Sequence, residues 1–238
     1  MWLMAQPAGH AAGKTRALPK RYQKAPYSLK SLSVGHPNAG WQARASRLKP
    51  RRGLTIKKNS RNHCYGHPSL VKMLYRSSRD IARAAPGSVM VLGDLSAKGG
   101  GPLAGHQSHQ SGRDADIAFY AKDKNGKSVQ LDHFVAFGSN GKAKDGSGLV
   151  FDDWRNWLLV QSWLRDRRAG LSHIFVSRGL RGRLLKYAQS RKSFRKHLPR
   201  AKVLLKQPGD SAAHDDHFHV RIACPKGQAD ICSERPRR

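Results

Sequence analysis

The chain has 238 residues, enough for one sizeable hydrophobic core, and carries 45 Lys and Arg against 15 Asp and Glu, a formal net charge of +30. No apolar run approaches the roughly 20 residues that a membrane helix needs, and the first ten residues lack the basic and apolar pattern of a secretory signal. We therefore expect a soluble, single-domain protein. The charge exceeds what solubility requires and indicates a polyanionic partner.

The charge is distributed unevenly along the chain. Residues 1–79 carry seventeen Lys and Arg and no acid, and residues 167–209 carry thirteen and no acid. Runs of this kind are typical of flexible arms and solvated surfaces, so residues 1–30 are predicted to form a basic, flexible arm and residues 31–238 the folded domain. A large positive net charge is also typical of proteins that bind phosphate groups. A nucleic-acid-binding protein or zinc nuclease is therefore an alternative function for this chain.

The hydrophobic pattern predicts alternating helices and strands after an irregular start. Residues 1–60 are rich in Pro, Gly, Lys and Arg and show little periodicity. Helices are predicted at 68–85, from Asp152 or Asp153 to about Asp166, and at 179–190; Leu158 and Leu164 should face the core. Strands are predicted at 88–92, 115–120, 174–177, 203–205 and 218–223, with a hairpin turn at Asn125-Gly126 and a loop at 96–112.

These elements do not follow a regular βαβ rhythm, which favours an α+β fold. We expect a single domain with a central antiparallel sheet that carries the functional site and is flanked by helices.

Five of the twelve histidines fall in two short windows, His106 and His109 in one and His214, His217 and His219 in the other. Side chains alternate along a strand, so the His-Phe-His sequence at 217–219 directs both imidazoles to one face. His109 ends a loop and Asp116 begins a strand seven residues later, a spacing that lets both turn inward. Two imidazoles and one carboxylate suit zinc, with a fourth position open to water.

Carboxylates accompany the histidines in both windows. A metal site needs local acids to neutralise the cation and orient the imidazoles. Asp114, Asp215 and Asp216 are candidates for this role, and the alternative is that they are solvated loop residues.

Five segments together resemble the penicillin-insensitive murein endopeptidases, metalloenzymes of the superfamily that includes lysostaphin, the D-Ala-D-Ala metallopeptidases and sonic hedgehog. The resemblance spans about residues 30 to 232. The segments are Arg61–Pro68 (RNHCYGHP), Gly93–Ser96 (GDLS), Gly100–Asp116 (GGPLAGHQSHQSGRDAD), Trp154–Trp157 (WRNW) and His214–Arg221 (HDDHFHVR).

The resemblance implies a function and a set of site residues. It implies that His109, Asp116 and His219 bind zinc, that His217 acts beside the metal, and that His106 and His214 line the site. The implied substrate is the D-alanyl to meso-diaminopimelyl cross-link of peptidoglycan, in the periplasm or outside the cell. Anionic envelope polymers are further candidate partners, because a basic enzyme is attracted to them. The hedgehog branch leaves a zinc-bearing, inactive wall-binding domain as a third alternative.

The general base must come from a histidine, because the single glutamate, Glu234, lies in the basic tail. His217 is two residues from a predicted ligand on the same strand face, and an imidazole titrates near neutral pH. His106 or His214 could protonate the leaving amine or bind the oxyanion.

Cys224 and Cys232 enclose a short loop with two turn formers, so a disulfide is feasible in an oxidising compartment. The resemblance also retains this loop. Cys64 is then unpaired, and three reduced thiols remain the alternative.

Overall fold

The computed structural model describes residues 18–209 and 213–235. The chain divides into two compact units, Met1–Lys30 and Ser31–Arg238. The described part of the first unit holds the short helix α1 (Lys20–Gln23) and a 3-10 turn at Tyr27–Leu29. Residues 1–17 of the predicted arm lie outside the described residues, so its flexibility stays a prediction.

In its described residues, the second unit contains short strands and four α-helices. The strands are β1 (Leu32–His36), β2 (Ala39–Ala43), β3 (Ser46–Arg47), β4 (Leu54–Ile56), β5 (Tyr65–Gly66), β6 (Met90–Leu92), β7 (Asp114–Ala118), β8 (Ala121–Lys122), β9 (Ser128–Val129), β10 (Val150–Phe151), β11 (Leu171–Phe175), β12 (Leu205–Lys206) and β13 (His217–Ile222). The helices are α2 (Pro68–Ala84), α3 (Asp153–Arg165), α4 (Arg178–Ser190) and α5 (Leu198–Leu204), with 3-10 turns at Lys58–Ser60 and Lys192–His197. In the described part of the chain, no helix is long and apolar enough to span a membrane.

A six-stranded mixed sheet in the order β12-β11-β13-β7-β6-β4 forms the centre of this unit. Its inner pairs are antiparallel, whereas the outer pairs β11–β12 and β4–β6 are parallel. The α+β class is confirmed, but the expectation of an antiparallel sheet is only partly correct. Parallel neighbours need a crossover connection. Helix α2 supplies it between β4 and β6, and α4 with α5 supplies it between β11 and β12.

One face of the sheet carries the hydrophobic core. Phe218, Val220 and Ile222 alternate along β13 and are buried. The Phe218 ring meets the edge of the Trp163 ring of α3 at 5.4 Å between centroids, and the Trp163 indole donates to Ser77 Oγ of α2 at 3.2 Å. Burial of a side chain such as Phe218 contributes roughly 1.5–3 kcal/mol. The helices thus cover this face, and the other face remains for the site.

The two long helices α2 and α3 confirm the periodicity analysis. Asp152 is the N-cap of α3, and its carboxylate accepts from the Arg155 amide at 3.1 Å. Leu164 is buried as predicted, while Leu158 is only partly buried.

Two predicted regions are wrong. Residues 203–205 are not a strand: Val203 lies in the last turn of α5 with 62% of its surface exposed, and only Leu205–Lys206 is extended. Pro199, in the first turn of α5, favours a helix there. Residues 31–60 are not irregular either, since β1 and β2 form a hairpin and β4 is an edge strand of the main sheet.

The C-terminal segment is cross-linked and anchored. Cys224 and Cys232 form the predicted disulfide, and Cys64 is a buried free thiol. The wholly buried Arg113 donates to Ser233 O at 2.7 Å and to the carboxylate of Glu234 at 3.1 Å. The single glutamate therefore serves as an anchor for this segment.

Candidate metal centre

Strands β7 and β13 place pairs of polar residues opposite each other on the face of the sheet that points away from the core. In their antiparallel register His219 lies opposite Asp116, and Arg221 lies opposite Asp114. Facing residues of an antiparallel pair are close enough for their side chains to interact. The strand alternation that buries Phe218 and Val220 therefore brings these four side chains together on the other face.

The loop between β6 and β7 presents His109 in a constrained conformation. His109 has a φ of 67°, a left-handed value that among the described non-glycine residues only Arg44 shares. The Ser96 hydroxyl donates to His109 O and accepts from the Gly112 amide. Gly112 has a φ of +73°, and a Cβ there would collide with the Gln42 side-chain amide. Left-handed backbone at a non-glycine residue persists where the surroundings fix it, often at a functional site.

Three imidazoles converge on one oxygen of Asp116. Its Oδ1 is 3.3 Å from His109 Nε2, 3.4 Å from His219 Nδ1 and 3.4 Å from His217 Nε2. His106 Nδ1 is 3.8 Å from the other oxygen, Oδ2. Ligand atoms of His106, His109 and Asp116 lie within 4.8 Å of one another, which makes this group a candidate metal-binding triad.

The other nitrogen of each imidazole is held by an acceptor. His109 Nδ1 donates to Leu95 O at 2.6 Å, and His219 Nε2 donates to Asp114 Oδ1 at 2.8 Å. His217 Nδ1 donates to Asp216 Oδ1 at 2.6 Å. A neutral imidazole with one nitrogen protonated presents a lone pair at the other. In each neutral ring that lone pair faces Asp116.

This arrangement fits a bound cation. His109 Nε2 and Asp116 Oδ1 are buried and have no hydrogen-bond partner within the described residues. Lone pairs that face a carboxylate repel it unless a proton or a metal ion lies between them. Buried polar atoms are rarely left unpaired, and imidazole ligands of metals usually donate their second nitrogen to a carboxylate or carbonyl. The imidazole nitrogens and the Asp116 carboxylate therefore fit a bound metal ion.

The charges in the cluster show how strongly it attracts cations. Burial raises the pKa of Asp116, but His109 and His217 hold it well below its usual value. Burial lowers the pKa of His217, but Asp116 and Asp216 raise it to about 10. Protons and metal ions compete for the same nitrogens, so metal binding at this cluster releases protons.

Five of the six predicted site residues line one cleft of about 640 Å³. It is lined among others by His106, His109, His214, His217 and His219, with Asp116 behind them. The His214 ring packs against those of His217 and His219, at centroid distances of 5.2 and 5.4 Å. Burial, together with the charges of His219 and His217, lowers the pKa of His214 to about 4. His214 is therefore neutral at pH 7.

The three aspartates near the imidazoles were predicted either to orient the rings or to be solvated loop residues, and the structure shows a different role for Asp215 than for the other two. Asp114 is wholly buried and accepts from both His219 and Arg221, and Asp216 accepts from His217. Asp215 instead forms an ion pair with Lys144 at 2.5 Å. Two of the three aspartates thus orient imidazoles, and the third binds a lysine at the rim of the cleft.

Three residues around the imidazoles were not predicted as site residues from the sequence. Asp94 accepts from His106 Nε2 and from His63 Nδ1, both at 3.1 Å. Phe134 stacks on His217, and Phe175 meets the edge of His219. Asp94 follows a buried strand by two residues, which is a usable signal for a site residue. The two phenylalanines carry no such signal.

An acidic and imidazole donor set at the base of an open cleft defines a candidate metal-dependent hydrolase. Comparison with known proteins agrees with this class. Residues 33–237 match the family model described as penicillin-insensitive murein endopeptidase. The chain belongs to this family, as its motifs indicated.

Several curated relatives carry the same name. The chain is 28% identical to the Haemophilus influenzae penicillin-insensitive murein endopeptidase over 210 residues, 87% of this chain and 68% of that protein. It is 27% identical to the Klebsiella pneumoniae (strain 342) protein over 228 residues, 95% and 78% of the two chains. It is also 27% identical to the Escherichia coli O6:K15:H31 protein over 182 residues, 76% and 61% of the two chains.

Proposed function

We propose that this chain is a zinc-dependent endopeptidase that hydrolyses the D-alanyl to meso-diaminopimelyl cross-links of peptidoglycan. As a member of a murein endopeptidase family it is a peptidase. The metal, its ligands, the bond cleaved and a periplasmic or extracellular location are the proposed parts. The observation that carries the proposal is the convergence of three imidazole nitrogens on one buried oxygen of Asp116.

His109, Asp116 and His219 are the proposed ligands. His109 Nε2 and Asp116 Oδ1 are the buried atoms without partners. His219 is preferred to His106 as the third ligand, because its side chain is 7% exposed against 24% and lies closer to Asp116. A set of two imidazoles and one carboxylate suits zinc and leaves a coordination position open.

A zinc ion bound here would polarise the scissile carbonyl and increase the acidity of the attacking water. Asp116 would no longer raise the pKa of His217 once its charge is engaged by the metal. In the proposed mechanism His217 is then neutral and accepts the proton of that water at Nε2. Asp216 holds the resulting imidazolium through Nδ1 at 2.6 Å, and Phe134 stacks on the ring at 4.7 Å. A carboxylate on the far nitrogen and an aromatic ring on one face fix the orientation of the base.

His106 and His214 complete the proposed machinery. His214 is neutral, so it can donate a hydrogen bond to the oxyanion but is a weak acid. His106 is held by Asp94 at 3.1 Å, which orients it toward the leaving amine. Proton transfer by a positioned residue contributes typically about 10² to 10⁴-fold to the rate.

The basic surface supports an anionic partner beyond the cleft. In the described residues 167–209 several Lys and Arg side chains of α4, α5 and the turn between them are exposed, among them Lys186, Lys192, Lys196, Arg200 and Lys202. Anionic envelope polymers are the proposed partners, since surface charge raises the rate of encounter with an acidic substrate. Nucleic acid is the alternative partner, because it is also a polyanion.

Incubation of the zinc-loaded protein with purified cross-linked muropeptides, followed by mass spectrometry, tests the proposal. We expect dimers to disappear and monomers to appear, with one water added for each bond cleaved. Tight binding of peptidoglycan without turnover would instead identify an inactive wall-binding domain. Unchanged dimers, together with salt-sensitive DNA binding, would favour the nucleic-acid alternative.

A further inference from the structure

Arg221 is a permanently cationic side chain in the lining of the cleft. The chain has 45 Lys and Arg, yet among the described residues that line the cleft only Arg221 is one of them. The remainder of the lining is histidine, aspartate, the amides Asn38 and Gln107, and small or apolar residues. Arg221 is therefore the side chain in this lining that would attract an anionic ligand at any physiological pH.

Arg221 is held in place through one edge of its guanidinium group. Its Nε donates to Asp114 Oδ1 at 2.6 Å, and its Cζ lies 5.3 Å from the centroid of the Phe175 ring. The side chain is 13% exposed. Its two terminal nitrogens make no hydrogen bond within residues 18–209 and 213–235. A guanidinium fixed at Nε keeps its terminal N–H groups for another acceptor, and a carboxylate suits this planar donor geometry.

A second donor accompanies Arg221. His36, the last residue of β1, is buried and also lines the cleft. Its Nδ1 accepts from the Asn38 amide at 3.2 Å, so the proton of the neutral ring is on Nε2. Burial and the charge of Arg221 lower the pKa of His36, which keeps the ring neutral. His36 therefore adds a hydrogen-bond donor without adding charge.

The distance of Arg221 from the proposed metal ligand His219 indicates which group of the substrate it would bind. Arg221 follows His219 by two residues on the same strand face, which separates the two Cα atoms by about 7 Å. In the proposed cross-link the carboxyl group of D-alanine is the scissile acyl group and carries no charge. The free carboxylate nearest to the bond is on the carbon that bears the scissile nitrogen. It lies within about 4 Å of the carbonyl carbon, because only three bonds separate them.

We propose that Arg221, with His36, forms a subsite that binds the carboxylate of the amine-side residue of the cross-link. The proposal rests on the proposed function and makes Arg221 a residue that determines substrate specificity. The subsite selects bonds whose nitrogen belongs to an amino acid with a free carboxylate. It disfavours the same bond when that carboxylate is an amide.

Two synthetic cross-linked peptides test this subsite, one with the free carboxylate next to the scissile nitrogen and one with the carboxamide there. For the zinc-loaded wild type we expect kcat/KM to be about 10- to 100-fold lower on the amide, the usual effect of losing a charge-assisted hydrogen-bonded pair. In Arg221→Gln the ratio of the two rates should fall close to one. The matched control Lys206→Gln, which removes an exposed cation, should keep the wild-type ratio.

The ratio of the two substrates on one enzyme preparation does not depend on zinc occupancy or on the fraction of folded protein. A variant that retains only part of its metal because Asp114 is disturbed is therefore still informative. Equal rates of the wild type on both peptides, or full discrimination by Arg221→Gln, would overturn the subsite while leaving the proposed function intact. A wild type that cleaves neither peptide would overturn the proposed function and the subsite together.

Discussion

His219 lies directly opposite Asp116 in the β7–β13 pair, and its Nδ1 is 3.4 Å from Asp116 Oδ1. We expect one zinc ion per chain by elemental analysis, and loss of stoichiometric zinc in His109→Ala, Asp116→Ala and His219→Ala. His106→Ala should retain zinc, since His106 is outside the proposed ligand set. Loss of zinc in His106→Ala together with its retention in His219→Ala would transfer the third ligand to His106.

Asp114 should tune zinc affinity without touching the metal. Its buried carboxylate accepts from His219 Nε2 at 2.8 Å and fixes the ring so that Nδ1 faces Asp116. Removal of such a partner typically lowers metal affinity by about 10- to 100-fold. We expect this weakening in Asp114→Asn, measured by competition with a chelator. Asp215→Asn, in which the lost partner is Lys144, is the matched control and should bind zinc as the wild type does.

His217 should be separable from metal binding. As the proposed base, it accepts the proton at Nε2 while Asp216 holds Nδ1. His217→Ala should lose about 10² to 10⁴-fold in kcat on a cross-linked muropeptide and keep its zinc, whereas His219→Ala should lose both. If His217→Ala turns over normally and His106→Ala or His214→Ala is impaired with zinc bound, the role of the base belongs to that histidine.

The thiol content should report the C-terminal disulfide. Cys224 is bonded to Cys232, and Cys64 is a buried free thiol whose Sγ donates to Arg61 O at 3.1 Å. Protein from an oxidising compartment, denatured without reductant, should show one reactive thiol, and reduction should raise the count to three. Cys64→Ser should remove the single unreduced thiol. Three thiols before reduction would contradict the pairing.

His67 should make folding stability depend on pH. Burial and the charge of Arg113 lower its pKa from 6.5 to about 4, and its Nδ1 accepts from the Ser69 amide at the start of α2. Between these pH values the unfolded chain binds more protons than the folded chain. The stabilisation is therefore fully present above pH 6.5, decreases as the pH falls toward 4, and is lost below that value.

The size of this effect can be measured by urea unfolding of the metal-free protein. We expect the wild type to lose about 1–2 kcal/mol more than His67→Asn between pH 7 and pH 5, because asparagine caps a helix without titrating. The other histidines contribute equally to both proteins and cancel in the difference. The same pH dependence in both proteins would show that His67 titrates normally.

The sequence by itself determined those features that depend on local periodicity. The His-Phe-His pattern places His217 and His219 on one face of β13 because strand side chains alternate, whatever the rest of the fold. The long helix 68–85 and the helix after Asp152 follow from apolar spacing over many residues, and both were found. The short run 203–205 was assigned wrongly, because three apolar residues fit a strand and a helix end equally well.

Only the tertiary structure decided which distant groups meet. Phe175 reaches His219 because β11 and β13, which are far apart in the chain, are neighbours in the sheet, and no local pattern encodes that register. Asp94 reaches His106 within the loop between β6 and β7, whose path is fixed by tertiary contacts. The same holds for the parallel outer pairs of the sheet, which depend on the path of α2 and α4. Arg221 in the sequence is one basic residue among 45. Tertiary packing gives Arg221 its particular environment, because it buries the partner Asp114. Among the described residues, Arg221 is the one arginine or lysine that lines the cleft.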